Sequence, residues 1–207
     1  TFQKGCGFTG PVERLNLSAA DVVIVAVGES EGMSGEARSR SMIGLPGEQE
    51  ALVKQVHESG KPYVVTLFNG RPLALGWVAE NCPTLLECWF PGSEAGNAVA
   101  DVLSGDVNPG AKLPVSFPRN VGQCPIYYNH KNTGRPAGLR DSYVSTYVDV
   151  DNSPQYPFGF GLSYTTFKID GVTVAADHSV SATVTNTGAR EGDEVVQLYI
   201  RDTVSSG

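Results

Sequence analysis

Nowhere does this sequence run for the roughly 18 consecutive apolar residues that a membrane-crossing helix needs. Its longest apolar stretches, such as VVIVAV at 22–27, have the length of a strand, so no membrane partner is expected. Positive charge is also scarce: 15 Lys and Arg face 22 Asp and Glu, for a net charge of −7. An acidic surface repels phosphate backbones, which argues against nucleic acid as a partner and leaves neutral ligands such as sugars open. There are only three histidines, and the four cysteines, Cys6, Cys82, Cys88 and Cys124, show neither C-x-x-C spacing nor a matching histidine pattern. No zinc site is expected, and buried free thiols are favoured over disulfides. Neither G-x-x-x-x-G-K-[ST] nor G-x-G-x-x-G follows a strand-like run, so there is no nucleotide motif. No metal and no cofactor are expected. The opening TFQKGC lacks the apolar core of a signal peptide and gives no address. No internal repeat or low-complexity tract is visible.

What is there, in 207 residues of which 41% are hydrophobic, suffices for one medium α/β domain with a small addition. Three apolar runs read as strands: 21–27 (DVVIVAV), 62–68 (PYVVTLF) and 84–90 (TLLECWF). The first is expected at the centre of a sheet. Between the runs lie helical stretches. One opens at Pro46, carries Glu48 and Glu50 in its first turn, and stops before Gly60. Another covers 93–103, with Ser93 as N-cap and Gly105 just beyond its end. Strands alternating with helices imply crossover units and a largely parallel sheet with helices on both faces. A further short strand is predicted at 113–117. From 123 to 164, Pro, Gly, Tyr and Asn dominate, as in YYNHKNTGRP at 127–136, which reads as a long ordered loop.

From 167 onward the period becomes two, in VSATVTN at 180–186 and EVVQLYI at 194–200. These read as the opening strands of a β-sandwich, a fold that needs about 7 strands in about 100 residues. The sandwich is expected to be incomplete, with unpaired strands that are either mobile or paired with another copy of the chain in a homo-oligomer. The fold class is therefore α/β: a parallel-rich sheet sandwiched by helices, followed by an incomplete β-sandwich segment. The domains expected are 1–164 and 165–207.

In an open parallel sheet, ligands gather at the carboxyl ends of the strands. Residues 28–45, 69–72 and 91–96 follow the three strands and should share one edge. The first is long for such a connection, where about 2–6 residues suffice. Its sequence, GESEGMSGEARSRSMIGL, carries Glu29, Glu31, Glu36 and the pair Arg38 and Arg40. A long loop with carboxylates on the ligand edge suits a general acid; a solvated excursion without a role is the competing reading. Arg71 in NGRP is either at the site edge or in a structural turn, paired with a neighbouring acid. Ser93 and Glu94 fit helix capping better than catalysis.

One short pattern points elsewhere. Gly28-Glu29-Ser30-Glu31-Gly32 matches G-x-S-x-G, the nucleophile elbow of serine hydrolases. That elbow places its serine at a helix start, whereas a long polar loop follows here, and no HGGG-type oxyanion segment is present. Of His57, His130 and His178, only His130 lies in a loop where it could act as base.

Four blocks in order carry a more specific resemblance: DVVIVAVGESEGMSGEARSRS, KPYVVTLFNGRPLAL, CWFPGSEAGNAVADVLSGDVNPGAKLPVSFPRNVGQCPIYYNHKNTGRP and YPFGFGLSYTTF. They resemble family 3 glycoside hydrolases, in character the bacterial periplasmic β-glucosidases. The tail VSATVTNTGAREGDEVVQLYIRD is similar to the start of the fibronectin type III-like domain those enzymes carry. The resemblance implies a periplasmic or secreted retaining β-glycosidase of three parts: an N-terminal (β/α)8 barrel, the α/β sandwich and the fibronectin-like domain. Its substrate is a β-glucoside or oligosaccharide, from which it removes terminal non-reducing β-D-glucosyl residues. The barrel supplies a nucleophilic aspartate, and EARSR matches the family's acid/base segment, which makes Glu36 the acid/base. Glu29 matches a recurring position without that role. The barrel and its aspartate are absent from this sequence, which is therefore expected to be a fragment, inactive in isolation. The resemblance does not distinguish glucose from xylose. A non-catalytic sugar-binding or structural module is the main rival, and a serine hydrolase the third reading.

Overall fold

The computed structural model describes residues 1–131, 133–138, 143–202 and 204. They form two compact units, one of 1–93 with 115–157 and the other of 94–114 with the chain from 158 onward. The first unit holds strands β1 (Val23–Gly28), β2 (Tyr63–Phe68) and β3 (Leu85–Glu87) and helices α1 (Gln49–Glu58) and α2 (Trp77–Asn81). The strands lie in the order β1-β2-β3 and both pairings are parallel, with Gly28 opposite Phe68 and Leu67 opposite Glu87. Helix α1 turns Leu52, Val53 and Val56 inward, a spacing that places all three on one face, and it packs on β1 and β2. Val53, Val56, Val65, Leu67, Leu73 and Val78 are fully buried, each stabilising the fold by about 1.5–3 kcal/mol.

The second unit holds α3 (Ala95–Ser104) and an antiparallel pair, β4 (Phe167–Val174) with β5 (Val180–Asn186). Gly105 ends α3 in the left-handed region (φ 85°), its N–H donating to Val102 O, as a C-terminal glycine should. The fold class is the expected one, a parallel sheet with helices followed by a small antiparallel β segment. No helix among the described residues is long and apolar enough to cross a membrane.

Several expectations need correction. β1 is at the edge of the described sheet and β2 is its centre. β2 is buried on both faces, whereas β1 alternates: Val25 and Val27 are 5% exposed, and Ile24, between Val23 and Val25, is 58% exposed. An apolar run thus marks a strand without fixing its neighbours. Alongside β1 runs a groove of about 1260 Å³, whose lining includes Phe2, Phe8, Leu17, Val23 and Val25. Helix α1 starts at Gln49, not Pro46, whose carbonyl accepts from Gln49 N in a preceding turn (3.3 Å). Segment 113–117 forms only an isolated bridge, Phe117 to Tyr156.

Segment 194–200 forms no ladder; side chains hold it instead, with Glu194 Oε1 3.1 Å from Lys112 Nζ and Gln197 Nε2 donating to Gly159 O (3.0 Å). All four cysteines are free, but Cys6, Cys82 and Cys88 are half-buried and Cys124 is exposed. In the long loop, Asn132 and residues 139–142 lie outside the described residues.

The end of β1 is secured by a side chain. Gln49 Oε1 accepts from Gly28 N (2.6 Å) and its Nε2 donates to Gly28 O (2.9 Å), so a buried glutamine on α1 replaces a neighbouring strand at that residue. Gly28 itself has φ 134°, and a Cβ there would overlap the Phe68 carbonyl oxygen and lie 2.6 Å from its carbonyl carbon. In the intact protein, Gly28→Ala is expected to destabilise by about 3 kcal/mol or more. Gly32→Ala, with open space around it, should change stability by less than about 0.5 kcal/mol. Thermal and denaturant unfolding of the two variants checks this; equal effects would refute the close approach.

Candidate active site

Because Gly28 and Phe68 are register partners, the chain leaves β1 and β2 side by side. Glu29, the first residue beyond β1, donates its N–H to Phe68 O (2.7 Å), and its side chain is fully buried. A carboxylate so placed is tolerable only with charge partners and hydrogen bonds. Arg40 Nη1 lies 2.6 Å from Oε1, and Arg71 Nε straddles the two oxygens at 3.0 Å and 3.3 Å. Gly70 N adds a backbone donor to Oε2 at 3.3 Å. Both guanidinium groups then reach outward. Arg40 Nη2 donates to Gly44 O (3.0 Å). Arg71 Nη2 donates to Met33 O and also to Arg38 O (2.8 Å).

Those last two carbonyls flank the segment that carries Glu36. After a single 3-10 turn at Glu31–Met33, the chain makes a tight turn in which Arg38 N donates to Gly35 O (3.2 Å). Glu36 is the second residue of that turn and is exposed. Ala37, the third, has φ 57°, a left-handed conformation that side chains other than glycine adopt at a cost of about 1–2 kcal/mol. Such strain persists only where surroundings impose it, and here Arg71 holds the carbonyl of Arg38, the last residue of the turn, and that of Met33, two residues before its first. Gly70 lies beneath: a Cβ on it would overlap Ser34 Oγ and come within 2.8 Å of Phe90 Cε2. Phe90 follows β3, so all three strand exits contribute to one site.

The β3 exit brings a second buried carboxyl. Glu87 Oε1 accepts from Trp89 N (2.9 Å), and Trp89 sits at φ 52°. Burial pushes the Glu87 carboxyl up to about 7, partly opposed by bonds from Trp89 N–H and Asn69. Burial likewise pushes the Cys88 thiol up to about 11, with the Glu87 charge adding to it. Asn69 is fully buried, and its Nδ2 donates to Arg71 O (2.7 Å).

Of the ionisable groups that the sequence singled out, Glu29 and Arg40 are joined, and Arg71 is the arginine of a structural turn paired with a neighbouring acid. Glu31, Glu36 and Arg38 are exposed. Ser93 lies in the 3-10 turn Gly92–Glu94 that precedes α3, and Glu94 holds the N-cap position in its stead. The serine-elbow reading fails on geometry. Ser30 has an extended backbone (ψ 161°) before one 3-10 turn. His57 Nδ1 is 3.0 Å from Tyr63 OH, and His130 Nδ1 is 3.0 Å from Lys131 O. Asn69 and Glu87 were not anticipated. Their one signal in the sequence is a glutamate inside an otherwise apolar run, TLLECWF.

Comparison with known proteins identifies the family. Residues 13–164 match the model of the glycosyl hydrolase family 3 C-terminal domain. A periplasmic β-glucosidase of Salmonella typhimurium is 52% identical over 196 residues, covering 90% of this chain and 26% of that protein. A β-xylosidase of Formosa agariphila is 47% identical, covering 99% of this chain and 30% of that one. Among solved structures, a β-glucosidase of Erythrobacter marinus superposes with a TM-score of 0.79 at 40% identity, over 92% of this chain and 26% of that one. The chain thus spans about a quarter to a third of the length of these relatives. With four-fifths of its first 164 residues or more inside that match and the matching fold around it, the chain belongs to glycoside hydrolase family 3, as its C-terminal domain.

Proposed function

We propose that this chain is the acid/base half of a retaining β-glycosidase of the β-glucosidase type, with Glu36 as the acid/base. The observation that carries the assignment is the contrast between the two loop carboxyls. Glu29 is buried with both oxygens engaged by guanidinium or backbone donors. Glu36 stands exposed on a turn whose two flanks are held by Arg71. An acid/base group has to reach substrate and exchange a proton in each half-reaction, which only the second placement permits.

In the reaction so proposed, Glu36 gives its proton to the glycosidic oxygen as the bond from the anomeric carbon breaks. An aspartate on an N-terminal (β/α)8 barrel of the intact protein forms the covalent glycosyl-enzyme. Water then attacks the anomeric carbon, Glu36 takes its proton, and the sugar leaves with its configuration retained. Relatives named as β-glucosidase and β-xylosidase support a terminal non-reducing β-D-glucosyl or similar unit as substrate. The periplasmic β-glucosidase of Salmonella supports a periplasmic or secreted site of action. The family match ends at residue 164, which supports a boundary between 1–164 and a fibronectin type III-like segment from 165.

In the intact enzyme, Glu36→Gln should lower turnover of unactivated disaccharides about 100-fold or more. Activated aryl glycosides should still form the glycosyl-enzyme and then stall, and azide should restore turnover as the β-glycosyl azide. Normal turnover of a cellobiose-type substrate by Glu36→Gln would sink the assignment.

Glu29→Gln should behave differently: removing one member of a buried ion cluster is expected to destabilise by about 3 kcal/mol, with activity losses that azide does not repair. Unfolding and rescue assays on the same variant check this, and an azide-rescued Glu29→Gln would transfer the role to Glu29.

A further inference from the structure

The Arg71 guanidinium reaches two places at once. Its Nε lies 3.0 Å from Glu29 Oε1 and 3.3 Å from Oε2. Its Nη2 carries two N–H bonds, and it donates to Met33 O and to Arg38 O (2.8 Å). Met33 precedes Glu36 in the chain and Arg38 follows it. One planar group thus ties the buried carboxylate to the backbone on both sides of Glu36. Arg40 supplies an internal contrast. It pairs with the same carboxylate at 2.6 Å, but its Nη2 donates to Gly44 O, well beyond the turn.

Among the described residues the Glu36 carboxyl makes no hydrogen bond or ion pair of its own. Its direction is therefore set by the backbone on which it stands. That backbone carries a cost, since Ala37 is left-handed at φ 57°. Within the turn, Arg38 N donates to Gly35 O at 3.2 Å, and both Glu36 and Ala37 are exposed. Exposed turns with few buried contacts open readily, and Arg71 adds two charge-assisted bonds that oppose the opening.

We propose that Arg71 is a positioning residue for catalysis: anchored on Glu29, it fixes the backbone from Met33 to Arg38 and so aims the Glu36 carboxyl at the glycosidic oxygen. A lysine cannot replace it. A single ammonium nitrogen keeps the charge beside Glu29 but does not reproduce the planar fork that also reaches the two carbonyls. The role rests on Glu36 as the acid/base.

The test uses the intact enzyme and a series of aryl β-glucosides running from activated to unactivated leaving groups. A misaimed general acid slows substrates whose leaving oxygen needs a proton and spares those that do not need one. Arg71→Lys should therefore lower kcat/KM about 30-fold or more on the least activated substrate and less than about threefold on the most activated. Azide should speed its turnover of the activated substrates, where the misaimed base limits hydrolysis. Arg40→Lys removes a guanidinium from the same carboxylate without reaching the turn. It should lower the thermal midpoint as Arg71→Lys does, with one common fractional loss across the series and no response to azide.

A uniform loss across the series in Arg71→Lys overturns the proposal, as do wild-type kinetics. Equal selectivity in Arg40→Lys also overturns it, because the whole Glu29 cluster would then order the turn. Ala37→Pro covers the case in which Arg71→Lys does not fold. Proline, with φ near about −65°, excludes the left-handed turn, and on an exposed residue it leaves the buried cluster in place. The same selective loss is expected, and a uniform one overturns the proposal. If azide fails to rescue Glu36→Gln, the assignment of Glu36 falls and this role with it. If that rescue succeeds while Arg71→Lys shows no selectivity, the positioning role alone falls.

Discussion

The buried carboxylate of Glu29 sets the terms for everything around it. A charge removed from water has to be matched by charge and hydrogen bonds close by. Here the matching groups come from different parts of the chain: Arg40 from the same loop, Arg71 and the Gly70 N–H from the turn after β2. Neutralising one carboxylate therefore requires two strand exits to close on each other. Gly28 allows the closure, since its backbone comes so near Phe68 that a side chain there would overlap it. Once the arginines are fixed at Glu29, their remaining N–H groups point at loop carbonyls, and an otherwise featureless polar loop acquires one conformation.

This arrangement separates two demands on carboxyl groups that are in conflict. The group that anchors the loop has to keep its charge, because its arginine partners would otherwise be left without a counter-charge. A group that does acid/base chemistry has to lose and regain its proton in every cycle. Glu29 meets the first demand by burial between arginines, and the exposure of Glu36 on a strained turn is compatible with the second, the role proposed for it. Glu87 is a third case, a carboxyl buried without a cation, and that burial pushes it up to about 7.

Much of this was legible in the sequence, and the parts that were not share a physical cause. The runs VVIVAV, YVVTLF and LLE announce strands through their apolar character, and Gly60 and Gly105 mark the ends of α1 and α3 where the left-handed backbone requires them. The resemblance of EARSR to an acid/base segment singled out Glu36. What local pattern does not contain is neighbour identity. β1 and β2 look alike as strings, yet one lies at the edge and the other at the centre. EVVQLYI alternates as a strand should, yet it is held by Lys112 and Gly159 instead of a ladder. Asn69 follows β2 and Glu87 ends β3, a placement side by side that is fixed by sheet register and invisible to any window of consecutive residues.

On the proposed reading, the other carboxyls at the strand exits do not pair with Glu36 as a nucleophile. A retaining mechanism needs a nucleophile about 5–5.5 Å from the acid/base, free to attack the anomeric carbon. Glu29 has both oxygens occupied by guanidinium and backbone donors, so attack through either would break the cluster that orders the loop. Glu87 is turned toward Asn69 and Trp89 N–H and is enclosed with them. Glu31 precedes Glu36 on its own 3-10 turn and is open to solvent, held by nothing that would fix it against a sugar ring. A nucleophile has to be as firmly oriented as the acid/base it works with. On the proposed reading of Glu36 as acid/base, the opposing carboxylate comes from another part of the intact protein.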